Sequence, residues 1–329
     1  MGTVNTMSRR IKVSIALVIA TLVGVAGAPV ASGAVSRALP GTDCPVFPVD
    51  NYWNTRVDSL PVNPSSSAWV ANMHPASNLH PDFGPSFGEQ PVPYGIPVTI
   101  VDGAKRVAVK FEYADESDRV RYPLGNATLI EGGASSEGDR HAIVVDARTC
   151  TLFETWNTRR TGSGWTAGSG AVWSLRSNKL RPASWTSADA AGLPILPGLL
   201  RWDEVRSGHV DHAIRFTTDV TQRAFIWPAR HQAGSTSDTA FPPMGARFRL
   251  KAGFSTDGYS PRAKVVLDAM QKYGLVLADN GSPWYFQGDA STGWPPSLIE
   301  ELKRIPAAAF EAVDTTPLRV SLGSAAVRQ

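Results

Sequence analysis

From Lys105 onward the apolar positions recur with the alternation of half-buried strands. In "KRVAVKFEY", Val107, Val109, Phe111 and Tyr113 share one face while Lys110 and Glu112 take the other. The run "HAIVVDARTCTLFETW" reads as two strands around a turn at Asp146 to Thr149, and "AVWSL", "HAIRFTT", "RAFIWP", "ARFRLKAGF" and "GLVLADNG" add further strands. Ahead of these, Gly41 to Tyr94 is dense in Pro, Asn, Ser and His, which predicts ordered loop with one short serine-capped helix at "SSSAWVANM". The stretch "TSADAAGLPILPGLLRWDEV" is apolar but broken by Pro194 and Pro197, so it predicts a buried crossing segment with short helical turns.

Helical periodicity is marked only late in the chain. Ser260 caps a helix that has Pro261 in its first turn, a stripe of Val265, Val266, Ala269, Met270 and Tyr273, and a stop at Gly274. A second short helix starts at Pro295 or Pro296 and runs through "SLIEELKRI" to Pro306. Many strands with few, late helices predict a mainly β fold, a β-sandwich or jelly-roll-like core with peripheral helices. No polar linker divides the chain, so residues 35–329 are expected to form a single β-rich domain.

Composition supports this reading. With 29 Gly, 25 Pro and 10 Trp and few charges, the chain suits a loop-rich extracellular β protein better than a helical one. The start carries Arg9, Arg10 and Lys12, then an apolar run from Val13 to about Val30, then Ser32 and Ala34 at positions suited to a peptidase. That order predicts a secretory signal peptide over residues 1–34, with an uncleaved anchor as the alternative; Gly24, Gly27 and Pro29 interrupt the run. A secreted, extracellular protein with no stable membrane anchor after cleavage follows. The net charge of +3 includes the three basic residues of the leader, and no basic block tracks phosphates, so nucleic acid is not an expected partner. In an exported chain the two cysteines, Cys44 and Cys150, are most simply one disulfide, with two free thiols as the alternative.

Chemistry must then come from a scattered set of side chains. The triplet His-Ala-Ile occurs twice, in "GDRHAIVVDAR" and "HVDHAIRFTTD". Strand alternation puts His141 with Ile143 and Val145, and His212 with Ile214 and Phe216, each at the mouth of a strand on its core-facing side. Imidazoles placed there suit general acid or base work, and equally suit the capping of a strand end. Both segments are expected to open onto one cleft. Glu154 alternates with Cys150 and Leu152, so it too points inward and needs a partner or a raised pKa. The expected catalytic centre is His141 or His212 as base or proton shuttle and Glu154 as acid or orienting group, supported by Asp139 and His231.

Sugars present apolar faces and polar edges, which fits aromatic platforms beside carboxylates. Trp53, Trp173, Trp227, Trp284 and Tyr285 are candidates for the first, with ordinary core packing the competing role for Trp227; Asp139, Glu154 and Glu204 are candidates for the second. Arg230 is placed to contact an acidic group, and Asn280, in a strong Asn-Gly turn, becomes functional if that turn borders the groove. Paired carboxylates would fit glycoside hydrolysis, whereas a His or Tyr base with an Arg would fit a polysaccharide lyase. A metal site is the weaker alternative: His209 and His212 point to opposite faces of a strand, and His80 with Asp82 are possible loop ligands. The Gly-Ser loops lack the strand-elbow-helix setting of a serine hydrolase.

The segments "AGLPILPGLLRWDE", "HAIRF", "WPARH", "PPMGARFRLK" and "ADNGSPWY" together resemble a family of exported, mostly uncharacterised proteins of soil bacteria. The resemblance covers most of the chain from "NYWNT" to "FEAVDT" and implies an exported single unit; it carries over no catalytic residue. The expected activity is that of a secreted carbohydrate-active enzyme on an extracellular polysaccharide, hydrolase before lyase, using no cofactor. The contrasting expectation is a glycan-binding or cell-wall-associated module without catalysis.

Overall fold

The computed structural model describes residues 1–3, 37–86, 94–133, 135–162 and 164–328. The chain divides into two units, Met1–Gly33 and Ala34–Gln329, and the fold below is that of the second. The expected signal peptide lies almost wholly outside the described residues. Among these, no helix is long and apolar enough to cross a membrane.

The protein is mainly β. In chain order the strands are β1 (His80–Asp82), β2 (Val98–Val101), β3 (Val109–Phe111), β4 (Ala142–Asp146), β5 (Thr151–Trp156), β6 (Arg159–Thr161) and β7 (Gly164–Ala167). They continue with β8 (Ser169–Ser174), β9 (Ile214–Thr218), β10 (Arg247–Leu250), β11 (Leu275–Asn280), β12 (Tyr285–Gln287) and β13 (Phe310–Val313). The helices are α1 (Ser66–Ala71), α2 (Trp202–Ser207), α3 (Pro261–Lys272) and α4 (Pro296–Leu302). The strands form a six-stranded sheet in the order β1-β12-β9-β11-β10-β13, a four-stranded sheet β2-β4-β5-β8 and a three-stranded sheet β3-β7-β6.

Local sequence accounts for much of this. The β4–β5 hairpin closes at the expected turn, and Cys150 in that turn is bonded to Cys44 with a Cα separation of 5.3 Å. Helix α3 begins where predicted: the Ser260 hydroxyl accepts from the Ala263 N–H, and Gly274, at φ +73°, ends it. Its Val266, Ala269 and Met270 are buried, whereas Val265 and Tyr273 stay half-exposed. Other expectations fail in part. "RAFIWP" forms only an isolated bridge, Phe225 to Met244. In "KRVAVKFEY" only Val109–Phe111 pairs as a regular strand.

The crossing segment is the hinge of the architecture. Residues 191–200 are buried throughout yet form no strand. Ala191, Leu193 and Leu200 belong to the apolar core of the six-stranded sheet, while Ala188, Ile195, Leu196 and Leu199 belong to that of the four-stranded sheet. Such a segment must satisfy its backbone polar groups without a ladder. Pro194 and Pro197 reduce the number of donors, and Ile195 and Leu196 donate their N–H groups to Glu154 of β5. On the other side, the Ala191 N–H donates to the Ala278 carbonyl of β11 and the Leu200 N–H to that of Gln287.

The disulfide closes a loop with a sequence separation of 106. Replacing both cysteines by alanine is expected to lower unfolding stability by about 2–5 kcal/mol. Urea unfolding of the variant checks this; an unchanged midpoint would show that the bond does not restrain the unfolded chain.

Candidate functional site

A cleft of about 360 Å³ opens where the crossing segment meets both larger sheets. This lies within the size range of small-ligand pockets, about 300–1,000 Å³. Its floor is Thr186 to Ala190, and its polar lining includes Glu116, Asp139, His231, Asp279 and Asn280. Tyr113 and Trp156 form an aromatic wall, their ring centroids 6.3 Å apart and tilted by 37°.

Asp279 reaches the cleft through a β-bulge. Along β11 simple alternation would place Asp279 with Leu275 and Leu277. The register against β9 instead shifts between Leu277, which pairs with Phe216, and Asp279, which pairs with Thr217. Thr217 shares a face with Arg215, so the bulge at Ala278 moves Asp279 to the Arg215 side.

Arg215, buried in β9, binds Asp189 of the floor through two parallel bonds, Nε to Oδ2 at 2.9 Å and Nη2 to Oδ1 at 2.6 Å. Its Nη2 is 3.9 Å from Asp279, too far for a hydrogen bond. Burial raises the pKa of Asp279 well above its ordinary value, the neighbouring Asp189 charge raises it further, and Arg215 pulls it part of the way back. The Asp279 side chain is still 26% exposed through the cleft. Asp279 is thus a carboxyl group biased toward its protonated form that faces a ligand-sized space, held beside Asp189, which Arg215 already engages.

His231 is the second candidate group lining the cleft. Its Nδ1 lies 2.8 Å from the Ala190 carbonyl, which can only accept, so Nδ1 carries the proton. In the neutral ring Nε2 therefore presents a lone pair. It faces Glu116 Oε2 at 3.9 Å, a separation that lets one water hydrogen-bond to both. Glu116 is itself oriented by the Thr186 N–H at 2.8 Å. Asp139 accepts from Trp156 Nε1 at 3.2 Å, coupling a carboxylate to the aromatic wall. One face of Trp156 rests on Gly168, where an added Cβ would lie 2.1 Å from the indole.

Several expected site residues have other duties. His141 is 3% exposed; Nδ1 meets Glu131 at 2.6 Å and Nε2 the Ala188 carbonyl at 3.1 Å, leaving no ring nitrogen for substrate. Burial alone would lower its pKa, but the charge and hydrogen bond of Glu131 outweigh this and lift it to about 9. His141 is a fixed imidazolium beneath the floor, not a base. Glu154 is fully buried and holds the crossing segment; burial raises its pKa and the two backbone N–H bonds pull it back, leaving about 7.

His212 sits at a different cluster, with Nε2 on Glu204 at 3.0 Å and Nδ1 on the Ala213 carbonyl at 2.8 Å. Glu204 also binds Arg201; burial raises its pKa, yet Arg201 and His212 together hold it low. The two His-Ala-Ile segments belong to different sheets, and neither ring lines the cleft. Arg230 donates to the carbonyls of Arg181 and Leu322 and is backbone support. Trp53 and Trp173 are buried, as are Trp227, whose indole donates to the Ser324 carbonyl, and Trp284, packed on Phe216 and Phe310; none of these is a sugar platform.

Of the expected set, Asp139, His231 and Asn280 border the cleft. Asn280 is held there by Thr221 and the Ala233 carbonyl. Asp279, Glu116, Asp189 and the Tyr113–Trp156 wall escaped the sequence reading. His80 stacks on Tyr285 at 4.0 Å, and Asp82 accepts from Tyr94 and Gln287. Among the described residues no three His, Cys, Asp or Glu side chains form a group able to hold a metal ion. Comparison with family models, curated proteins and solved structures found no match.

The buried charges set a pH dependence. The folded state raises the pKa of His141 from about 6.5 to about 9, so its contribution is complete below 6.5 and is lost as pH rises through 9. Glu154, raised from 4.5 to about 7, acts in the same direction over a lower window: stability falls as pH rises through 7. Urea midpoints are expected to fall between pH 6 and pH 9.5, and His141→Gln to remove the upper limb, worth on the order of 3 kcal/mol. A wild-type midpoint constant over that interval would contradict the assignment.

Proposed function

We propose that the protein is an extracellular glycoside hydrolase acting on a polysaccharide, with the cleft as its active site. The observation that carries the reading is a cleft-facing Asp279 with a raised pKa, in a cleft that the Tyr113–Trp156 wall, Glu116 and His231 also line. In this mechanism the Tyr113–Trp156 wall stacks on a sugar ring, and Asp279 gives its proton to the glycosidic oxygen as the C–O bond breaks. A water attacks the anomeric carbon, and its proton passes to the Glu116–His231 pair. Return of that proton to Asp279 through solvent resets the enzyme. Asp139 fixes Trp156, and burial with the Asp189 charge favours the protonated form of Asp279 against the pull of Arg215.

Hydrolysis is favoured over elimination because a lyase acting on uronic acids needs a cation beside the carboxylate. No Lys or Arg is among the residues lining the cleft. The disulfide, a bond of oxidising compartments, and the leader-like N-terminal sequence support an extracellular setting. A non-catalytic glycan-binding role is the second reading, favoured by the 45% exposure of Tyr113 next to Trp156.

On a panel of polysaccharides, new reducing ends without ultraviolet absorbance are expected. Asp279→Asn is expected to lower kcat by about 10²–10⁴-fold. His231→Asn, which keeps a donor for Ala190, is expected to lower it by at least 10-fold, as a rough figure for a lost base. An absorbing unsaturated product would establish a lyase, and retained binding with no turnover a binding module.

A further inference from the structure

The charge of the cleft goes beyond the choice of reaction. Glu116, Asp139, Asp189 and Asp279 all line it, and four arginines of the neighbouring segments have partners of their own. Arg215 is locked on Asp189, Arg181 on Asp118, Arg230 on two backbone carbonyls, and Arg159 reaches Asn157 and Glu137. Arg215 offsets Asp189 and the raised pKa of Asp279 reduces its charge, so among the described residues Glu116 and Asp139 are the lining carboxylates that no Arg or Lys pairs, His141 acting on Asp139 only through its field. His231 lies beside Glu116, with Nε2 toward it. Asp139 is attached to the edge of Trp156, so a ligand stacked on that ring has an anion at its rim.

We propose that the cleft selects glycans bearing free ammonium groups, that is, polymers of de-N-acetylated amino sugars, over neutral or anionic ones. The proposal rests on the glycan reading of the same site and names its substrate class. A sugar ammonium is attracted by Glu116 and Asp139 across a partly desolvated gap, where charge pairs are stronger than in bulk water. The faces of Trp156 and Tyr113 attract cations as well as sugar rings, so the wall and the carboxylates favour the same ligand. A uronate carboxylate would meet only like charge. The two adjacent ring faces of the wall suit the flat face of a sugar better than a flexible basic peptide.

The test is calorimetric binding to the full chain of four probes: a β-1,4-linked glucosamine hexamer, cellohexaose, a galacturonate hexamer and hexalysine. Reducing-end release from the three glycans is measured in parallel. The glucosamine hexamer is expected to bind at least 10-fold more tightly than cellohexaose, as a rough estimate for one or two such charge pairs, and the margin is expected to shrink in 0.5 M salt. Asp139→Asn, at an exposed position, and Glu116→Gln are each expected to cut the margin several-fold. Equal or tighter binding of cellohexaose, unchanged margins in both variants, hexalysine binding as tight as the amino sugar, or no binding of any probe overturns the proposal. Cleavage of a neutral glycan without this preference overturns it while leaving hydrolysis standing. The preference without cleavage upholds it while removing the hydrolase reading.

Discussion

The structure depends on how a buried, strandless segment between two sheets keeps its polar groups satisfied. Residues 187–200 carry backbone that no ladder pairs, and the protein answers with buried charged and polar side chains from both sides. From the four-stranded sheet, Glu154 binds two N–H groups, Ser169 donates to the Ser187 carbonyl, and His141 at the start of β4 donates to the Ala188 carbonyl. From the six-stranded sheet, Arg215 grips Asp189. Removing one member of such a buried pair leaves the other charge uncompensated, at a cost of about 3–5 kcal/mol. The strength of the arrangement lies in its completeness.

The same anchoring creates the chemistry of the cleft. Arg215 spends both of its short bonds on Asp189, so Asp279, brought to that side by the bulge in β11, accepts from the Asn280 N–H at 2.7 Å and has the Asp189 carboxylate as a neighbour, with the Arg215 cation held off at 3.9 Å. Desolvation and that like charge hold its proton. His231 is oriented by the Ala190 carbonyl, and Glu116 by the Thr186 N–H, so both also take their positions from the floor. Scaffold and reactive groups are therefore one network: whatever displaces the floor also retunes Asp279 and re-aims His231.

The sequence disclosed elements whose signals are local. Hairpin β4–β5, the capped helix α3 and the buried crossing segment all follow from alternation, a serine cap and spaced prolines. Inward-pointing His141, His212 and Glu154 were also legible from alternation, but burial alone does not separate a reactive group from a structural one. What separates them is the identity of the partners, and these come from distant segments: Glu131 and Ala188 for His141, Ile195 and Leu196 for Glu154. Asp279 was hidden for a different reason. A one-residue bulge reverses the face that alternation assigns, and "LADNG" contains no mark of it beyond the adjoining turn. Edge strands such as β1, with a proline at its centre, read as loop because their pairing is non-local.

The central claim is that Asp279, lining the open cleft, keeps its proton to higher pH than an ordinary aspartate. It is tested most directly by following the side-chain carboxyl carbons of ¹³C-labelled aspartate by NMR through a pH titration, with the Asp279 resonance assigned by its absence in Asp279→Asn. The account predicts a resonance that keeps its protonated shift to clearly higher pH than exposed aspartates, whose midpoints lie at about pH 4. A resonance that moves with those exposed aspartates would contradict it.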